Sequence, residues 1–166
     1  MAGTKYAIKQ AMNVVIKEYG SDTEYATLDY ANSGELSIES ENDYALMSGQ
    51  QAIVFPGAKT GSITLTCDVT EDKILALMVG GTADEDGNIV IDGISQPKVF
   101  SLEGTVVVTN EDGTTTVKTL KAAKVAPETS ASLAFGFDTK TEFSLVFTLL
   151  YDAVNDKFIE LSNPSA

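Results

Sequence analysis

Phe100-Ser101-Leu102-Glu103-Gly104-Thr105-Val106-Val107-Val108-Thr109, then Glu111-Asp112-Gly113, then Thr114-Thr115-Thr116-Val117-Lys118-Thr119-Leu120-Lys121: this stretch decides the fold. Both arms are rich in β-branched residues, which suit a pleated, half-buried surface. The segment between them ends in a glycine free to take positive φ, so the whole reads as a β-hairpin. Strand signals continue on either side. Glu35-Leu36-Ser37-Ile38-Glu39 and Ile63-Thr64-Leu65-Thr66-Cys67 alternate with period 2. Gly87-Asn88-Ile89-Val90-Ile91-Asp92-Gly93 is a short apolar run between glycines. Ser132–Phe137 and Phe143–Tyr151 read as strands, and Lys157–Leu161 can complete the sheet. Turn residues recur roughly every 8–12 positions, the spacing of a sandwich or barrel.

One segment departs from this period. Thr70-Glu71-Asp72-Lys73-Ile74-Leu75-Ala76-Leu77-Met78-Val79-Gly80-Gly81 places Ile74, Leu75, Leu77 and Met78 on one helical face. Thr70 is the expected N-cap, the two acids suit the positive end of the dipole, and Gly80 or Gly81 supplies the stop. So short a helix is marginal alone and must lie on the sheet. The N-terminal stretch stays open: Ile8, Met12, Val15 and Tyr19 fit helical spacing, whereas Met12, Val14 and Ile16 fit a strand. The expected fold is therefore mainly β, an antiparallel sandwich or barrel with one short flanking helix at about residues 70–79.

Composition removes much of the chemistry available to proteins. The 166 residues make one domain's worth of chain, 43% hydrophobic and 21% charged, enough apolar material for a core. The 24 acidic residues face 11 basic ones, for a formal charge of −13, and every basic residue is a lysine. Without His there is no imidazole general base or metal ligand. Without Arg there is no bidentate fork for phosphate. An acidic chain repels nucleic acid, whose affinity comes from neutralised phosphates. The single cysteine, Cys67, shares a face with Ile63, Leu65 and Val69 and reads as a buried small hydrophobe. Met1-Ala2-Gly3-Thr4-Lys5 has no apolar run of a signal peptide, and no stretch is long enough for a membrane span, so a soluble chain made in the cytoplasm is expected.

Three stretches carry candidate chemistry. Asp84-Glu85-Asp86-Gly87-Asn88 has some of the oxygens of a calcium loop but lacks the closing glutamate and flanking helices of an EF-hand, so a polar hairpin turn is the better reading. Between Glu18 and Asp43 lie eight carboxylates and no base, on an expected pair of strands, Tyr25–Tyr30 and Glu35–Glu39. They make a charged exterior or a functional acidic surface, represented by Glu24, Asp29, Glu35 and Glu39. A hydrolase would instead need one carboxylate with a raised pKa in a cleft. The following stretch, Tyr44 to Ala58, contains no charge. An exposed loop bearing Tyr44, Leu46, Met47, Ile53 and Phe55 without a charged gatekeeper is unusual in a monomer. It either tucks onto its own core or is buried in a neighbouring subunit.

The chain resembles the major tail tube proteins of long-tailed bacteriophages in three places. Lys5–Tyr19, with Ala26-Thr27-Leu28-Asp29-Tyr30-Ala31-Asn32, looks like their opening strands. Gly61–Asp72 through Leu75–Gly81 is similar to the passage feeding their single helix, and Phe100 through Phe158 looks like their closing strands. The resemblance implies a virion structural protein with no enzymatic activity and no cofactor or metal. It would assemble with itself into stacked hexameric rings, forming the tube through which DNA passes without specific binding. Further partners implied are the tape measure, tail terminator and baseplate or tip proteins, with no membrane. It also resolves the N-terminus toward a strand preceded by an arm (about 1–11), and places an interface loop (about 40–58) between rings. Lacking Arg, inter-ring contacts would use lysines, hydrogen bonds and apolar burial. The alternative, from another class, is a carbohydrate- or cell-surface-binding β-sandwich of adhesin or fibre type, which needs an exposed aromatic platform; aromatics are only 8% and Trp is absent.

Overall fold

A computed structural model of the chain describes residues 6–29, 31–47, 49–55, 57–68, 70–94, 98–129 and 142–163. In chain order these form β1 (Tyr6–Glu18), β2 (Glu24–Leu28), β3 (Ala31–Ser40), β4 (Asp43–Met47), β5 (Gln50–Phe55) and β6 (Lys59–Cys67). The helix α1 (Asp72–Val79) follows, then β7 (Thr82–Ala83), β8 (Ile89–Val90), β9 (Phe100–Asn110), β10 (Thr115–Pro127), β11 (Phe143–Leu149) and β12 (Glu160–Ser162). Among the described residues the fold is mainly β and antiparallel with one short helix, as the sequence indicates. The expected strand at Ser132–Phe137 lies outside the described residues.

The main sheet runs β2-β1-β9-β10-β11-β6-β3, with β12 added beside β10. Its two ends, β2 and β3, are neighbours in sequence. A flat sheet of this order would hold its end strands about 29 Å apart, at roughly 4.8 Å per gap. The chain from Leu28 to Ala31 spans at most about 11 Å. The sheet therefore curls over until β3 comes into contact with β1. The two acidic segments expected as strands are strands, β2 and β3, and stand at these two ends: β2 pairs with β1, and β3 with β6. Period-2 alternation identifies a strand's faces but not its partner.

Curling creates the core. Val14 and Ile16 of β1, Phe100 and Leu102 of β9 and Ala122 of β10 come from one half of the sheet; Ile63, Leu65 and Cys67 of β6 and Leu145, Phe147 and Leu149 of β11 come from the other, and all join one buried cluster. β10 serves both halves. It pairs with β9 through Ala122, shifts register before Val125, and then pairs with β11. β1 is irregular: its register against β9 slips between Ile8 and Gln10 and again between Met12 and Val14, where Asn13 takes φ 38°. Such bulges bend a strand and mix its period, which is why this segment reads equally as helix or strand. Residues 6–11 of the expected arm are part of β1, and 1–5 lie outside the described residues.

Helix α1 closes one end of the core through buried Ile74, Ala76, Leu77 and Met78. It begins later than expected. Glu71 is the N-cap and makes no side-chain cap bond, while the Thr70 hydroxyl donates to the Glu71 carbonyl at 3.4 Å. The C-terminal end is as expected. Gly80 adopts φ 70°, its N–H donates to the Leu77 carbonyl, and the Gly81 N–H donates to that of Ala76. These two bonds form a Schellman motif. A Cβ at Gly80 would meet Thr129 Cγ2 at 2.7 Å in addition to its backbone strain. Gly80→Ala is expected to lower stability by about 1–2 kcal/mol, measurable by chemical denaturation.

Candidate functional site

β4 and β5 form a hairpin that continues outward from the end of the β3–β6 ladder, whose last pair is Ser40 with Lys59. The stretch expected as a loop is thus a strand pair turning at Gly49, where φ is 78°. At its base the Gly57 N–H donates to Asn42 Oδ1 at 3.2 Å. Its strands pack on each other and on no other described element more than marginally. A lone two-stranded hairpin is marginally stable in water at best.

Of the expected interface residues, Tyr44, Leu46 and Met47 sit on β4, and Ile53 and Phe55 on β5. Tyr44 is registered against Val54, Ala45 against Ile53 and Leu46 against Gln51. Leu46 is 68% exposed. The side chains of Tyr44, Met47, Ile53 and Phe55 lie outside the described residues. Val54, 56% exposed on the same hairpin, was not among the expected residues, although it belongs to the same charge-free stretch. Together Leu46 and Val54 offer apolar surface to solvent on this hairpin.

The four expected acidic residues are all exposed but fall into two groups. Glu24 and Asp29 line an open cleft of about 840 Å³ with Glu71, Asp72, Asp84 and Glu85. Glu35 and Glu39 lie on β3, at the other end of the strand order. Asp84 opens the turn between β7 and β8: its carboxylate accepts the Asp86 N–H at 3.0 Å, the Asn88 N–H at 2.8 Å and the Asn88 amide at 2.9 Å. The Asn88 bonds hold its pKa below the usual carboxylate range. The carboxylate organises a polar hairpin turn, as the sequence suggested.

A hydrolase requires a carboxylate with a raised pKa. Among the described residues, the carboxylates that are displaced, Asp84, Glu103, Asp112, Asp152 and Glu160, all move downward. Cys67 is buried, and burial pushes its thiol upward, away from the nucleophilic thiolate.

Two further polar features went unnoticed in the sequence because their members are far apart along the chain. Lys17 reaches Glu103 at 3.0 Å, Lys121 reaches the same carboxylate at 3.5 Å, and Lys157 reaches Glu160 at 2.6 Å. Glu160 is registered against Lys121, so opposite charges alternate across β1, β9, β10 and β12. The second is Asp152, buried at 1% exposure. It accepts the Asn155 amide, the Tyr19 hydroxyl at 2.9 Å and the Val154 N–H at 3.0 Å. These bonds, the one from Asn155 first, depress its pKa. They also tie the loop before β12 to the end of β1.

A carboxyl with a lowered folded-state pKa stabilises the fold fully above its unfolded pKa, and that stability is lost as pH falls through the folded value. Wild-type thermal stability is therefore expected to drop as pH falls below about 4. Asp152→Asn is expected to melt lower at neutral pH and to show a shallower decline in acid. Melts followed by circular dichroism across this range check both expectations.

No protein-family model matches the chain, and no curated protein sequence matches it.

Proposed function

We propose that the chain is a virion structural protein that assembles with copies of itself into stacked hexameric rings, forming the tail tube of a long-tailed phage. The observation that carries this reading is the β4–β5 hairpin, which packs on no other described element more than marginally, bears exposed Leu46 and Val54, and is uncharged from Tyr44 to Ala58. An isolated hairpin of this kind gains its stability by burial against a neighbour. The resemblance of the opening strands, the helix passage and the closing strands to tail tube proteins supplies the kind of neighbour: the next copy in a stack.

The charge supports the same reading. A surface of net −13 built without Arg repels the phosphate backbone. Wall charges act within a Debye length of about 8 Å at physiological salt, so DNA would slide past without being held. The chain would reach its place in the virion tail from the host cytoplasm, meeting tape measure, terminator and tip proteins at the ends of the tube. Sedimentation velocity over a concentration series tests the assembly: species heavier than monomer should grow with concentration, and a pure monomer throughout would overturn it.

A further inference from the structure

Aspartate is followed by glycine three times in the chain, at Asp86-Gly87, Asp92-Gly93 and Asp112-Gly113. The pair has a chemistry of its own, because glycine puts no side chain in the way when its backbone nitrogen turns back on the preceding carboxyl. That reaction needs a nitrogen free to leave its place and an aspartate whose backbone can rotate. The structure separates the three pairs on both counts.

Two of them are closed into turns. The Gly87 N–H donates to the Asp84 carbonyl at 3.3 Å, and the Gly113 N–H to the Asn110 carbonyl at 3.0 Å. Each aspartate is thus the third residue of a hydrogen-bonded β-turn, with its glycine fixed in the left-handed region at φ 82° and 84°. Further bonds tighten both turns. The Asp86 N–H donates to Asp84 Oδ1 at 3.0 Å. Asp112 Oδ1 accepts the Thr114 N–H at 2.9 Å and the Thr114 hydroxyl at 2.6 Å, which engages the carboxylate itself. The third pair lies in the link between β8 and β9, outside any strand or hydrogen-bonded turn. Residues 91–94 are all exposed, and a Cβ at Gly93 would meet nothing within 4 Å. Among the described residues the Gly93 N–H finds no backbone acceptor and the Asp92 carboxylate no donor.

We propose that Asp92-Gly93 is a site of spontaneous isoaspartate formation in the folded protein, and that the turns holding Asp86 and Asp112 protect the other two pairs. The Gly93 nitrogen attacks Asp92 Cγ. A C–N bond forms, a carboxyl C–O bond breaks, and the carboxyl's hydroxyl leaves with the nitrogen's proton as water. Water then adds to the main-chain carbonyl carbon of Asp92 in the resulting succinimide ring. The bond from that carbon to the nitrogen breaks, and the chain now runs through the former side-chain carboxyl. One water is released and one taken up, so mass is unchanged and no oxidant or reductant takes part. The link between β8 and β9 gains one methylene, and the former main-chain carbonyl becomes a free carboxylate. The reaction is internal to one chain and does not depend on assembly.

Incubation of the full, folded chain at neutral pH tests it. Trypsin releases residues 74–98, which carry Asp86 and Asp92 on one peptide, and residues 99–118, which carry Asp112. Electron-transfer fragmentation locates isoaspartate within each. In the folded chain Asp92 should convert about tenfold faster than Asp86 or Asp112, a difference equal to about 1.4 kcal/mol and the size of one lost hydrogen bond. In denaturant the turns are gone and the three rates should converge. Equal conversion of all three in the folded chain would overturn the proposal. So would an Asp92 excess that persists unchanged in denaturant, or an Asp92 that converts only once the chain is unfolded.

Discussion

Phe147→Ala is expected to lower the stability of the fold by about 3–5 kcal/mol. Phe147 is fully buried at 0% exposure and has the largest volume among the fully buried side chains. It is registered against Ile63 of β6 and Pro127 of β10, at the point where β10 passes from one half of the sheet to the other. Across the core lie Val14, Ile16 and Leu102 from the opposite half. Removing the ring leaves a cavity between two halves held by strand twist, which can relax into it only in part. Against a typical domain stability of about 5–15 kcal/mol, the loss is a large fraction of the total. Denaturant unfolding measures it, and Phe147→Leu should lose much less. A near-zero change for alanine would mean that the sheet does not close over this side chain.

The double substitution Leu46→Glu/Val54→Glu is expected to abolish assembly and leave the monomer intact. Both side chains face solvent in the single chain, where surface changes usually alter stability by no more than about 0.5 kcal/mol. In an assembly that buries them, each contributes about 1.5–3 kcal/mol of apolar burial. The introduced carboxylates add a desolvation cost in a subunit already carrying −13. Losing both contacts should raise the assembly concentration by at least about a hundredfold. Light scattering of wild type and variant, beside matched thermal melts, separates lost association from lost folding.

Local chemistry made parts of this architecture legible in advance. The Glu111-Asp112-Gly113 turn and its β-branched arms identify the β9–β10 hairpin, and Gly113 indeed takes φ 84°. Gly80 identifies the end of the helix because an αL residue there is otherwise strained. The start of the helix was less legible, since a cap at Thr70 or Glu71 differs by one residue and the observed cap has no side-chain bond. The β4–β5 hairpin had a signal in Ser48-Gly49, a turn dipeptide between two runs of apolar residues. The Lys17–Glu103 pair and the Tyr19–Asp152 bond join residues 86 and 133 positions apart. The first pair meets because β1 pairs with β9, and the second because the chain after β11 returns to the end of β1.

On the proposed function this β domain is a building block of a larger assembly. Electron microscopy of the purified full chain at increasing concentration tests it most directly. The expected images show rings of six subunits, stacking into hollow tubes as concentration rises. A field of separate monomers at the highest concentration reached would contradict it.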